Sequence, residues 1–192
     1  MNTMITIVSG LPRSGTSMMM RMLEAGGMVL VVDNIRKADE DNPYGYFEFE
    51  KVKKIKEDSS WLDYTQGKAF KIVSMLLYNL PHDKNYKVIF MKRNMKEIIA
   101  SQKIMLERHK RDRDDVDDEQ MARLSEKHIH QIDIWLGKQQ NIDTLYVNYN
   151  DFIERPRENA EAVSQYLGNI LDVDRMVKTV DKSLYRNRFN SK

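Results

Sequence analysis

The sequence predicts an α/β fold: a parallel β-sheet flanked by helices in a three-layer sandwich. Three observations carry this. Short β-branched, apolar runs alternate along the chain with segments of helical periodicity. The first such run, Thr3 to Ser9, has no polar face, as expected of a strand buried on both sides. It leads directly into a turn, "SGLPRSGTS", whose two glycines, Gly10 and Gly15, bracket four residues before a helix begins.

Each later element follows in order. Good helix formers run from about Gly15 to Ala25 and stop at Gly26-Gly27, a suitable C-cap. "MVLVV", Met28 to Val32, reads as a second strand, and "RKADEDNPYGYFE" has the Asn-Pro and Tyr-Gly punctuation of a loop. "KAFKIVSMLL" begins as a strand and continues as helix. "YKVIFMKR", Tyr86 to Arg93, is a clear strand, with Asn94 as N-cap of the helix after it. "ERHKRDRDDVDDE" is dense in both charges and reads as a solvated helix end and loop. "HIHQIDIWLGKQQ" is helical, "DTLYVNY" is a strand, and "RPRENAEAVSQYLG" is a helix with Pro at its start and Gly at its end. No repeat or Gly/Ser-rich linker divides the chain, so residues 1–192 read as one domain.

Composition excludes several classes. A net charge of +2 gives no overall field for nucleic acid. Zero cysteines exclude disulfides, thiolate metal sites and a thiol nucleophile. The thirteen methionines are packing residues. No apolar run approaches the roughly 20 residues of a membrane span, and the N-terminus lacks a signal-peptide pattern. A cytoplasmic location is expected by default.

Chemistry concentrates first in the glycine turn. A strand–turn–helix junction presents consecutive backbone N–H groups and the positive end of a helix dipole, which suits an anion. Arg13 adds a permanently charged planar fork, and Ser14, Thr16 and Ser17 add hydroxyl donors. A nucleotide-binding P-loop would place Lys after the second glycine, where this chain has Thr16. The anion must therefore tolerate a loop without that lysine.

"GLPRSGTS" resembles the 5′-phosphosulfate loop of sulfotransferases that use 3′-phosphoadenosine-5′-phosphosulfate (PAPS), bacterial members included. The resemblance implies a P-loop nucleoside-triphosphate-hydrolase-like fold, PAPS as co-substrate, PAP as product and no metal. It assigns donor binding to Pro12, Arg13, Ser14, Gly15, Thr16 and Ser17. The family's second anchor, for the 3′-phosphate, is an Arg at a strand end and a Ser eight residues on. "VIFMKRNMKEIIASQ" supplies Arg93 and Ser101 at that spacing, about 2.2 helical turns. "VNYNDFIERPRENAEAVSQYLG" is similar to a late scaffold segment, through Tyr149, Asp151, Pro156, Leu167 and Gly168.

Sulfuryl transfer to a hydroxyl benefits from a general base. Many members place a His shortly after a strand Lys, but "GKAFKIVSMLL" has none. His82 reads as a surface turn, and His109, His128 and His130 as exposed helical residues. The last two do not share a helix face for metal binding. The candidate bases are Asp33, roughly twenty residues beyond Arg13, and then Glu48, in a stretch similar to Asn-Pro-x-Gly-Tyr-x-Glu of bacterial relatives. Arg13 and either Lys71 or Lys68, with Lys71 aligning better, would stabilise the leaving phosphate. The acceptor, a hydroxyl or an amine, stays open among carbohydrate, lipid, small phenol and peptide, and the small net charge argues against a nucleic-acid partner. A P-loop kinase with a degenerate loop and a non-catalytic PAP- or PAPS-binding protein are the alternative readings.

Overall fold

The structure, a computed structural model, describes residues 4–108 and 117–186. Its four strands are β1 (Ile5–Gly10), β2 (Ala69–Val73), β3 (Tyr86–Lys92) and β4 (Ile142–Asn148), in the order β2-β1-β3-β4. Every pairing is parallel. The helices are α1 (Thr16–Ala25), α2 (Met95–Arg108), α3 (Asp118–Leu136), α4 (Tyr149–Glu154), α5 (Pro156–Tyr166) and α6 (Val173–Lys178). This is the expected class, a parallel sheet flanked by helices.

Side-chain alternation along the strands builds two cores. Val8, Ala69, Ile89, Met91 and Val147 pack on one face against α1, α4, α5 and α6. Ile7, Phe70, Ile72, Val88 and Phe90 pack on the other, against Trp61, Ile132 and Leu136. With both faces covered, β1 is buried along its whole length, which is why its sequence has no polar side. The chain runs from β1 outward to β2, then crosses back beyond β1 to β3. That reversal leaves a crevice at the carboxyl ends of β1 and β3, the usual ligand position in open α/β sheets. Gly10 and Met91 are register partners there.

The helix termini follow local chemistry. α1 closes with a complete Schellman motif: Gly27 N–H donates to Glu24 O and Met28 N–H to Leu23 O, each at 2.9 Å. Asn94 caps α2 by accepting from Lys96 N at 2.9 Å, and Pro156 opens α5. The charge-dense run spans the end of α2 and the Asp117 cap of α3, while 109–116 lie outside the described residues.

Three features differ from the sequence expectation. Met28 to Val32 forms no strand; Leu30 makes an isolated bridge to Ala69 before the chain bends at Asn34, whose φ is 57°. After β2, Ser74–Asn79 is a 3₁₀ turn, tighter than the α-helix expected. α6 was not legible, because six residues are too few to show a helical period.

Candidate active site

The glycine turn has the geometry that its composition implies. Gly10 has φ 148° and Gly15 φ 99°. A Cβ on Gly10 would lie 2.6 Å from Met91 O, and one on Gly15 would lie 2.4 Å from the Tyr149 ring. Only glycine fits either position. Arg13 itself takes the left-handed conformation, φ 71°, an unusual and costly choice for a residue with a side chain. Its carbonyl accepts a hydrogen bond from Arg93 Nη1 at 3.1 Å, which helps hold that turn. Pro12, Arg13, Gly15, Thr16 and Ser17 line the cavity above the loop; Ser14 does not. Ser14 is buried beneath the loop, its Oγ among the described side-chain atoms with no hydrogen-bond partner.

The second anchor lies against the first. Arg13 Nε donates to Ser101 Oγ at 3.0 Å, so the loop cation and the α2 hydroxyl meet across 88 residues of sequence. Arg93 also lines the cavity. Its guanidinium stacks 4.4 Å from the Tyr149 ring centroid and pairs with Glu97 at 2.9 Å. Glu97 is buried, and it accepts from Tyr185 OH at 2.5 Å and from Asn150 Nδ2 at 3.2 Å. Burial of the ion pair inside this network fixes the arginine fork in place.

A cavity of about 320 Å³ runs from these anchors towards β2. Among the described residues, seven cationic side chains and three carboxylates line it. Lys71 reaches in from β2, on the α1 face of the sheet. Its ammonium contacts the Tyr46 carbonyl, Ser17 Oγ at 3.4 Å and Glu48 Oε1 at 3.8 Å. Burial pushes the Lys71 pKa down to about 8, against a smaller upward pull from Glu48. Lys68 is not on the cavity wall.

The two candidate carboxylates separate clearly. Glu48 lines the cavity, paired with Arg36 at 3.1 Å as well as Lys71. Asp33 does not line it. Its two oxygens accept from Ile35 N at 3.0 Å and Glu50 N at 2.6 Å, and its own N–H donates to Glu48 O at 3.1 Å. Asp33 thus brackets Glu48 from the backbone side.

Sequence reasoning missed other parts of this wall. The Arg36 guanidinium lies 3.3 Å from the Tyr46 ring centroid. Tyr46 OH donates to Asp39, 2.8 Å from each of its oxygens; burial, and then Asp39, push its pKa up to about 12. Nothing periodic in the 33–48 loop points to either residue. Glu97 was more legible, since it stands one helical turn beyond Arg93. Tyr149, read as scaffold, also lines the cavity.

The histidines lie elsewhere. His82 and His130 are exposed and His109 falls outside the described residues. His128 is half-buried, correcting the expectation of an exposed residue: its Nε2 lies 2.8 Å from Ser74 Oγ, and burial lowers its pKa. Among the described residues no group of three or more His, Asp or Glu is placed to hold a metal ion, and no helix is long and apolar enough to cross a membrane.

The fold and this cavity define an α/β protein with a glycine turn and a cation-rich cavity at its sheet crevice. The sulfotransferase-domain family model matches residues 5–190, and the chain belongs to that family. Two solved structures share the fold. One is the sulfotransferase domain from the curacin biosynthetic pathway, at TM-score 0.52 and 12% identity over 98% of this chain and 93% of that one. The other is a sulfotransferase from Alicyclobacillus acidocaldarius, at TM-score 0.50 and 12% identity over 89% and 82% of the two chains. No curated protein matches the sequence.

Proposed function

We infer that this chain transfers a sulfuryl group from PAPS to an acceptor hydroxyl. One observation carries the choice of donor: Arg13 of the glycine turn is hydrogen-bonded to Ser101 beside Arg93. A single ligand with a phosphate at each end would engage both places together. The residues fit such a group. Gly10 and Gly15 let the turn close against Met91 and Tyr149 without a Cβ in the way, and the excess of cations along the cavity suits a polyanion.

PAPS would supply the sulfuryl group. The acceptor oxygen bonds to sulfur as the bond from sulfur to the phosphate oxygen breaks. Glu48 takes the acceptor proton. Lys71 and Arg13 stabilise the negative charge that develops on the leaving phosphate. Arg93 and Ser101 hold the 3′-phosphate, and the N-terminus of α1 with Thr16 and Ser17 holds the 5′ end. Asp33 positions Glu48 without touching substrate.

Thermal unfolding tests the donor. PAP at a hundredfold excess over its dissociation constant stabilises the fold by about 2.7 kcal/mol, and ADP at the same concentration does so far less. Equal shifts for the two nucleotides would remove the 3′-phosphate from the argument, and a shift with Mg-ATP alone would make the chain a kinase.

A further inference from the structure

We propose that this chain pairs with a second copy of itself along the outer edge of β4, joining two sheets into one. The inference goes beyond the sulfuryl-transfer reading and stands independently of it.

The two ends of the sheet are finished differently. At the β2 end, the stretch from Met28 to Val32 runs along the strand. Val31 N–H donates to Ala69 O at 2.8 Å, and Ala69 N–H donates to Val29 O at 2.9 Å. At the β4 end, no bridge or backbone hydrogen bond among the described residues reaches the side away from β3.

The ladder shows which groups that leaves over. Successive residues of a strand direct their backbone N–H and C=O groups to alternate sides. Asn141 O accepts from Tyr86 N–H at 2.9 Å. Asp143, Leu145 and Val147 therefore face β3 with their backbone groups, while Thr144 and Tyr146 face outward. Asp143, Tyr146 and Asn148 are exposed, and Thr144 and Leu145 are half-buried. An edge of this kind is normally blunted by Lys, Pro, a bulge or a covering loop. β4, "IDTLYVN", contains neither Lys nor Pro, pairs with β3 without a break, and is rich in strand formers.

Self-complementarity names the second copy as the occupant. Set antiparallel about a two-fold axis at Leu145, the two β4 strands overlap along their whole length. Thr144 N–H then donates to Tyr146 O of the second copy, Tyr146 N–H donates to its Thr144 O, and the axis repeats both bonds. Thr144 lies opposite Tyr146, a β-branched and aromatic pair. Asp143, the one charge on β4, lies opposite Val147, so no like charges meet. A slip of one residue would oppose Thr144 to Leu145, whose backbone groups already bond to β3.

Sedimentation velocity of the full chain over a wide concentration range is the test. The mass should pass from one chain to two as concentration rises. Thr144→Pro removes an outward N–H and spares the β3 ladder, so it should weaken the dimer about tenfold or more. Tyr146→Lys keeps the backbone and places a charge on the edge, with the same result. Thermal unfolding in dilute solution shows that each variant still folds, and Tyr146→Lys decides the matter if the proline variant does not. Leu145→Cys gives a direct check, because the chain has no other cysteine. The axis sets the two Leu145 Cβ atoms about 5 Å apart, close enough for mild oxidation to join the thiols with a small adjustment. A chain that stays monomeric at every concentration overturns the proposal. So does a dimer that both edge variants leave intact, or one in which Leu145→Cys does not cross-link.

Discussion

At the scale of single residues, Glu48 and Asp33 divide one task. Glu48→Gln removes the charge of the proposed base while keeping its shape, so turnover should fall about 10²- to 10⁴-fold with PAP affinity unchanged. Asp33→Asn loses one of two oxygens that cap backbone N–H groups, so it should lower stability by about 1 kcal/mol and turnover much less. A larger rate loss in Asp33→Asn than in Glu48→Gln would reverse the assignment.

Lys71 gives a pH signature. Its pKa lies near 8, so its charge is lost as pH rises through that value. The rate constant kcat/KM for the donor should decline above about pH 8, and Lys71→Arg, charged throughout, should lose that decline. The same shift bears on stability. Between about 8 and the ordinary 10.5 the unfolded chain holds a proton that the folded chain has released, so this group's contribution rises with pH across that window. That Arg13, Arg93 and Ser101 come together was legible because the two arginines sit at element junctions and Ser101 follows Arg93 by eight residues along one helix, where spacing fixes position. The choice between Asp33 and Glu48 was not, because loop residues carry no period and their placement depends on contacts such as Asp33 N–H to Glu48 O.

At the scale of elements, two glycines with nearly the same backbone angle meet different surroundings. Gly15 has φ 99° and the Tyr149 ring where a Cβ would go; Gly27 has φ 100° and nothing within 4 Å. Gly27→Ala should therefore cost only the left-handed penalty, about 1–2 kcal/mol. Gly15→Ala should cost more and also weaken PAP binding, since Tyr149 stacks on Arg93. Equal denaturant midpoints for the two variants would show that Tyr149 yields freely. The strands and long helices were readable because burial on two faces or one stamps a period on the sequence. Met28 to Val32 looked like a strand for the same reason, but only Leu30 bridges Ala69, and the chain then turns to bring Asp33 under Glu48.

At the scale of the whole molecule, distant segments roof the cavity together. Tyr44 OH donates to Asp181 at 2.9 Å, Arg186 Nη1 donates to Glu40 O at 2.9 Å, and Tyr185 reaches Glu97 below. PAP should thus slow amide hydrogen exchange in 40–46 and 181–185 in concert with the glycine turn. Protection of the turn alone would mean that the roof does not sense the nucleotide. Little of this was legible, because contacts spanning 88 to 146 residues leave no local pattern.

The loop that carries Glu48 also lends its backbone to two cations of the cavity wall. Arg13 holds the Asp41 carbonyl at 3.0 Å, and Lys71 holds that of Tyr46. An anion that claims both cations loosens two carbonyls of one loop, and the base travels on that loop. On the proposed function, this predicts an order of events in turnover: the donor first, the acceptor second, and PAP departing last. Initial-rate kinetics should show PAP competing with the donor at every acceptor concentration, while the sulfated product competes with neither substrate. Product inhibition of a random-order pattern would mean that the loop and the cations move independently.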